Sequence, residues 1–369
     1  MNLVLIEKAR YDYRKLKPQI DRMCRTLAGD RIQAGMRVLV KPNLLMAARP
    51  AESIVTHPRV VRAVVEFLLG KGARVQISDS PAMGSFDRIL RLSGYLEALE
   101  GLDVDLRPFK GTVSVDVGKP FGRIEVARDA IAADAVVNLC KLKTHAQMLL
   151  TLGVKNLFGC VVGFAKPQWH LRCGIDRDHF ARLLVRIQQA VNPCLTIMDG
   201  IFALQGQGPG KSGRPRFLGV LAAGRSAPAV DAAVCRLLGL NPQQLATHRA
   251  AVEMGLLPAD MHIRGDFNMI DDFELPRMAP TSFGPPAFNR FMRRHVLQKP
   301  VANDKRCERC GRCQKYCPAK AVAVTGSGVV FDYNRCIRCY CCVEICPCGA
   351  LTAQDPLAGR VLHRLSVLK

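Results

Sequence analysis

Aromatic residues are scarce in this 369-residue chain, at 6%. Non-specific binding of single-stranded nucleic acid relies on aromatic stacking, and no recognised nucleic-acid motif is present, so nucleic acid is not an expected partner. No apolar run approaches the roughly 18 residues of a membrane-spanning candidate, so no transmembrane segment is expected. The opening MNLVLIEKARYDYRK lacks a basic n-region followed by an apolar stretch, so no signal peptide is expected. Acidic residues are few, 31 Asp and Glu against 53 Lys and Arg, giving a formal charge of +22. Such a surface suits an acidic redox partner, anionic lipid or nucleic acid. The arginines are spread along the whole chain, however, and charge alone selects none of these. A Walker A loop is also missing: Gly210-Lys211-Ser212 would need glycine where Gln205 stands. The glycine-rich stretch from Gly206 to Ser212 is read instead as a mobile loop over a site. No flavin fingerprint is found.

Cysteine, by contrast, is abundant. There are sixteen, which without a secretory signal argues for reduced thiols and ligands, not disulfides, and for a cytoplasmic protein. Cys307, Cys310, Cys313 and Cys317 precede Pro318, and Cys336, Cys339, Cys342 and Cys346 precede Pro347. Both runs read C-x2-C-x2-C-x3-C-P, the spacing of cubane iron–sulfur ligands, in which the fourth cysteine serves the other cluster. One [4Fe-4S] cluster is therefore assigned to Cys307, Cys310, Cys313 and Cys346, and a second to Cys336, Cys339, Cys342 and Cys317. Structural zinc is the rival, disfavoured by two tandem four-cysteine runs with trailing prolines. Cys341 and Cys348 are spare. Cys341 has the wrong spacing on both sides and is read as packing. Eight thiolates and two clusters would lower the net charge to roughly +18.

Upstream, β-rich runs alternate with helical ones, the pattern of an α/β layered domain. Strands are expected at Met36–Val40, Arg74–Ser78, Ala135–Leu139, Leu195–Met198 and Phe217–Ala222. Helices are expected at His57–Leu69, Asp178–Val191 and Pro228–Leu238. The fold expected is an α/β layered N-terminal domain, with a mixed or mostly parallel sheet and flanking helices, plus a small α+β two-cluster ferredoxin-like domain. Its divisions are 1–265, a linker at 266–299, the cluster domain at 300–355 and a tail at 356–369. Within the linker an amphipathic helix is expected at Ala287–Leu297, with Phe288, Phe291, Met292 and Val296 on one side and Arg290, Arg293 and Arg294 on the other.

Polar clusters follow the predicted strands at Lys41–Asn43, Asp79–Pro81, Lys141–His145 and Asp199–Gly200. In open α/β sheets ligands bind at the carboxyl edge. Lys41, Asn43, Lys143, Lys155 and Asn156 are the candidate binders of an anionic small molecule. His145 and His170 are candidate proton carriers, and Asp199 would orient a histidine or bind a cation. Cys160, His170 and Cys173 match no common zinc spacing, and the two cysteines are read as buried thiols.

These motifs resemble the domain of unknown function 362 family. The likeness rests on Lys41-Pro42-Asn43, Ser78-Asp79-Ser80-Pro81, Lys141-Leu142-Lys143-Thr144-His145 and Thr151 to Gly159, with His170, Asp199-Gly200, Gly206-x-Gly208-Pro209 and Asp231. It covers roughly residues 36–255. The resemblance implies a functional site in the polar set and, in many members, an appended two-cluster ferredoxin domain, but no particular reaction. Residues 300–353 look like bacterial two-[4Fe-4S] ferredoxins, although residues 301–350 carry eight basic against four acidic side chains. The function expected is an iron–sulfur oxidoreductase. Electrons from a donor or acceptor protein would pass through two [4Fe-4S] clusters to an anionic substrate or cofactor. The alternative is an electron-transfer or activation subunit with no chemistry of its own.

Overall fold

Alternation of apolar residues builds a sheet buried on both faces. The computed structural model describes residues 2–257, 260–265, 268–276, 278 and 296–356. Its first strands are β1 (Asn2–Lys8), β2 (Arg37–Pro42), β3 (Arg74–Ile77), β4 (Val104–Leu106), β5 (Thr112–Asp116), β6 (Arg123–Ala127), β7 (Ala135–His145), β8 (Leu149–Thr151), β9 (Leu195–Gly206), β10 (Gly213–Gly224) and β11 (Met261–Gly265). Among the described residues nine of these make one sheet, ordered β11-β1-β10-β9-β7-β2-β3-β4, with β8 beside β7. Neighbours are parallel except that β10 opposes β1 and β9, and β8 opposes β7. The sheet is mixed and mostly parallel. β5 and β6 pair separately as a hairpin.

Side chains alternate across a strand, and here both sides are covered by helices. Leu3, Leu5, Val38, Val40 and Ile77 pack with Leu16 and Ile20 of helix Tyr13–Ala28 and Val61 and Val64 of helix Pro58–Gly70. Val4, Ile6 and Met198 face Val230 and Val234 of helix Ala227–Leu237. Leu39 and Val136 face Leu183 and Leu184 of helix Arg177–Val191. Pro58 supplies a fixed φ at the first helical position, and His57 Nδ1 accepts the Arg59 N–H at the same end. Neither β1 nor helix Tyr13–Ala28 is among the predicted elements, although the run Leu3–Ile6 is apolar throughout.

Several strands outrun their expected ends. β7 was expected to stop at Leu139, yet it continues to His145 with all eleven residues buried. β9 was expected to stop at Met198 and reaches Gly206, where a turn leads directly into β10. The predicted mobile loop is that turn. It is pinned at Gly208, whose N–H donates to Thr144 Oγ1 at 3.1 Å, and at Gly206, whose N–H donates to Glu274 O at 2.7 Å. Residues 268–276 of the expected linker lie against the same hairpin, with Phe273 buried and Arg216 reaching Asp272. The expected helix Ala287–Leu297 falls outside the described residues except for Val296 and Leu297, as does the tail beyond 356.

The cysteine-rich region is built from β12 (Lys299–Ala302) paired with β15 (Leu351–Gln354), and a hairpin of β13 (Val322–Thr325) and β14 (Gly328–Phe331). The duplication in sequence is a duplication in structure: the short helices Arg312–Lys315 and Cys341–Glu344 occupy equivalent places. This region docks on the carboxyl edge of the sheet. Ile345 joins the apolar core of the sheet region, Ala146 enters the small core of the cysteine-rich region, and Tyr316 stacks on Phe164 at 4.9 Å. Ser212 Oγ donates to Leu351 O at 2.9 Å, so the β9–β10 turn is part of the seam.

Candidate functional site

Strands β2 and β7 can carry lysines through the sheet because each ammonium has a fixed set of acceptors. Lys41 Nζ lies 2.9 Å from Asp79 Oδ1 and donates to Pro42 O at 2.9 Å and Asn156 Oδ1 at 3.3 Å. Asn156 also accepts from Asn43 Nδ2 at 2.8 Å and donates to Asn138 Oδ1 at 2.8 Å. Lys143 Nζ donates to Asn43 Oδ1 and Ile54 O, both at 2.8 Å. Buried charges persist where they are paired and hydrogen-bonded in this way. Gly159 covers the ion pair, and only glycine fits: a Cβ there would stand 2.3 Å from Asp79 Oδ1 and 2.4 Å from Lys41 Nζ.

Beside this network lies a cleft between the sheet edge and helix Cys341–Glu344. Lys41, Asn43, Lys143, Lys155, Asn156, Lys166 and Glu344 line one part of it, and Lys155, Lys166, His170, Cys341 and Glu344 another. Lys155 donates no hydrogen bond among the described residues, whereas Lys166 Nζ donates to Ser80 O and Oγ at 2.7 Å. Four ammoniums thus face two carboxylates, Asp79 and Glu344. Burial lowers Lys143 to about 7, against a pull upward from Glu344. It likewise lowers Lys166 to about 8, and it lowers Lys155 too.

The two histidines meet at the same carboxylate. His145 Nε2 is 3.8 Å from Glu344 Oε2, while its Nδ1 accepts the Gln147 and Met148 N–H groups, so a neutral ring carries its proton on Nε2. His170 lies between Phe158 and Phe180, ring centroids 5.6 and 4.3 Å away. Burial first, then the Lys155 charge, lowers His145 to about 4. Burial also lowers His170 to about 3 despite the opposing pull of Glu344. Burial acts to raise Glu344, but Lys155 and the two histidines outweigh it and hold the carboxyl well below its usual range. His145 Nε2, His170 Nδ1 and Thr151 Oγ1 are buried without a hydrogen-bond partner among the described residues. Buried polar groups ordinarily have one, and a bound ligand would supply it.

Of the expected α/β site residues, Lys41, Asn43, Lys143, His145, Lys155, Asn156 and His170 come together here. Asp199 does not. It was expected to orient a histidine or bind a cation, but its oxygens accept from Lys141 Nζ at 2.9 Å, Tyr11 OH at 2.7 Å and the His57 N–H at 2.9 Å. Strand β9 continues past Asp199 and places it on the Tyr11 side of the sheet edge. Burial would raise its carboxyl, yet Lys141 and His57 keep it low. Lys166 and Glu344 are the residues that sequence reading missed. Lys166 sits among the apolar and polar residues before His170, and nothing marks Glu344 but its place between two cysteines.

The cysteines segregate as two sets. Cys307, Cys310, Cys313 and Cys346 line one cavity, with Pro347 and Cys348 at its wall. Cys317 lies near Cys336 and Cys339, and Cys342 near Cys339, Cys336 and Cys317. Cys346 Sγ accepts the Ala350 N–H and Cys317 Sγ the Ala321 N–H, both at 3.2 Å. Such bonds favour thiolate, and they occupy equivalent places in the two repeats. Among the described residues no group of three or more His, Cys, Asp or Glu is placed to hold a single metal ion. The cavity ringed by the first set of thiols suits a cluster, which needs room between its ligands. Cys341 lines the lysine cleft, not the cavity of the first set, while Cys348 Sγ is 3.7 Å from Cys346 Sγ.

Sheet, cleft and thiol sets define an α/β protein with an appended iron–sulfur domain. Residues 38–236 match the family described as "Domain of unknown function (DUF362)", and residues 299–347 match a "4Fe-4S dicluster domain". The chain belongs to the DUF362 family and is an iron–sulfur protein. It is 37% identical over 273 residues to the "Thylakoid-associated protein sll1697" of Synechocystis sp., a match covering 72% of this chain and 85% of that protein. The lactate racemase apoprotein of Thermoanaerobacterium thermosaccharolyticum aligns with TM-score 0.38 at 12% identity, over 61% of this chain and 54% of that one. Among the described residues no helix is long and apolar enough to cross a membrane.

Proposed function

We propose that this protein is an iron–sulfur oxidoreductase whose two [4Fe-4S] clusters exchange electrons with an anionic substrate or cofactor held in the lysine cleft. One observation carries the reading: helix Cys341–Glu344 holds Cys342 of the second thiol set and also places Glu344 in the cleft wall. A proposed cluster ligand thus stands two residues from a side chain in the cleft wall.

Cys307, Cys310, Cys313 and Cys346 would hold one cluster, and Cys336, Cys339, Cys342 and Cys317 the other. Each cluster, when bound, supplies single-electron chemistry. The chain's own residues do the rest. Lys155 and Lys143 neutralise the anion, while Lys41, Asn43 and Asn156 hold Lys143 in place. Four lysines against two carboxylates favour an anion such as a phosphate or carboxylate, whose charge would draw the lowered lysines back to their ammonium form. His145 and His170 are neutral near pH 7, and negative charge developing beside them would raise their basicity and let them relay a proton. The cytoplasm is the proposed location, since thiol ligands need a reducing compartment. The thylakoid-associated relative supports peripheral contact with a membrane surface through the basic exterior.

The test is mass spectrometry of small molecules released from anaerobically purified protein. An anion should accompany the wild type and be lost from Lys155→Ala with iron content unchanged, since removing one buried charge partner costs about 2–5 kcal/mol of binding. If both proteins release none, and no small molecule is turned over, the reading gives way to an electron-transfer subunit acting on a partner enzyme.

A further inference from the structure

A second cavity opens at the carboxyl edge of the sheet, on the Tyr11 side of Asp199. It measures ≈ 740 Å³, within the roughly 300–1,000 Å³ range of small-molecule sites. The chain enters it where β1 ends, where residues 50–62 follow β2, and where β9 passes Asp199. Its main lining residues are Tyr11, His57, Arg59, Arg62, Glu97 and Phe202.

Three of these present near-parallel rings. Tyr11 and His57 stack at 3.6 Å with 16° between planes, and Phe202 continues the series at 6.2 Å and 18°. Phe217 closes on Phe202 edge-on at 5.2 Å. Phe202 is 38% exposed and Phe217 44%, whereas large aromatic side chains usually supply core area. The shelf is held rigid from below. Tyr11 OH donates to Asp199 and accepts from Lys141 Nζ at 3.0 Å, a pair of charges buried to within 1%. Arg59 Nη1 donates to Tyr11 O at 2.5 Å, fixing the same residue from the other side.

Polar groups on the wall are few and mostly cationic. His57 Nδ1 accepts the Arg59 N–H at 3.2 Å, so the neutral ring keeps Nε2–H as its donor. Burial keeps it neutral, lowering it to about 4. Arg59 has guanidinium N–H groups beyond the one bonded to Tyr11. Arg62 is tied to Glu66 and Ala98 O, and Glu97 is the opposing charge on the rim.

We propose that this cavity binds a planar heteroaromatic ligand carrying a phosphate or carboxylate, its ring against Phe202, the exposed end of the His57–Tyr11–Phe202 series, and its anionic group toward Arg59. Flat rings stack on flat rings in offset geometry, and arginine binds such anions with a fork of donors. Nothing in this inference depends on chemistry in the lysine cleft.

Equilibrium dialysis of the anaerobic holoprotein against flavin mononucleotide and riboflavin tests it. The expected result is saturable binding of the mononucleotide, tighter than that of riboflavin. Phe202→Ala should weaken it about tenfold, with Phe202→Leu as a milder variant should the first not fold. Arg59→Gln should abolish the preference for the phosphate, and Lys155→Ala should leave binding unchanged. No saturable binding up to millimolar ligand overturns the proposal. So does binding indifferent to both Phe202 and Arg59, or binding lost in Lys155→Ala, which would place the ligand in the other cleft.

Discussion

The sheet region and the cysteine-rich region reach order by opposite means. The sheet buries three large apolar clusters that enclose its charges. The core of the cysteine-rich region is small, formed by Tyr340, Val343, Leu351, two cysteines and a few alanines, with Ala146 lent by the sheet. Regions this small rarely stabilise themselves by apolar burial and rely on metal or disulfides. Each region is therefore vulnerable to a different injury: loss of metal in one, loss of a charge partner in the other.

The largest expected effect is removal of iron. Chelation under anaerobic conditions should expose residues 300–355 to protease while the sheet region stays protected, as read by fragment mass. Equal survival of both regions would break the comparison. A finer form uses single cysteines: Cys317→Ser should damage the cluster held with Cys336, Cys339 and Cys342, and Cys313→Ser the other. Perturbation of one and the same cluster by both, seen by electron paramagnetic resonance, would remove the crossed ligation.

Next comes the buried pair Lys141–Asp199. Asp199→Ala strands an ammonium in the interior and should cost about 3–5 kcal/mol of unfolding free energy. Lys155→Ala removes the chief counter-charge of Glu344 but leaves Lys143 and Lys166 in the same cleft, and should cost less than Asp199→Ala. Urea titration of the two variants separates structural from ligand-facing lysines. Similar losses in both would show that the cleft is held together as the sheet interior is.

Acid should have a smaller, graded effect. His57 and His145 lie at about 4 and His170 at about 3 in the folded protein, against 6.5 when exposed. Between those values the unfolded chain binds protons that the folded one refuses. Stability therefore rises with pH across the window and falls away as pH drops from 6.5 toward 4, by about 1–3 kcal/mol per histidine. Asp231 opposes this: burial raises it to about 7, so its folded form favours protonation and loses stability as pH rises through that value. Urea midpoints at pH 7, 6 and 5 should fall overall; a flat profile would mean the histidines are not held neutral. The smallest effect expected is that of Cys341→Ala, which should leave iron content unchanged because Cys341 faces the cleft.

Much of this was legible in the chain. A C-x2-C-x2-C-x3-C-P run repeated at constant offset admits few chemistries, since thiolate spacing over so few residues sets which ligands can share a cluster. The α/β layering was legible too, because β-branched runs and helical periodicity are local properties. The ends of β7 and β9 were not. Lysine and aspartate read as loop until Asn43, Ile54 and Tyr11, distant in sequence, arrive to satisfy them. The place of Asp199 is illegible for the same reason: its partners come from the connection after β1, from β7 and from the residues before helix Pro58–Gly70.

Local spacing alone marks three neighbouring thiols in each proposed ligand set, because thiols within three or four residues of one another need no fold to be brought near; the fourth, Cys346 or Cys317, joins its set only through the fold. Only tertiary structure decided the face they turn to the sheet. In the first repeat, helix Arg312–Lys315 ends on a lysine; in the second, helix Cys341–Glu344 ends on Glu344. Docking on the sheet edge brings Glu344 against Lys155, His145 and His170. No periodicity encodes that meeting, since a carboxylate between cysteines acquires its meaning from charges nearly two hundred residues away.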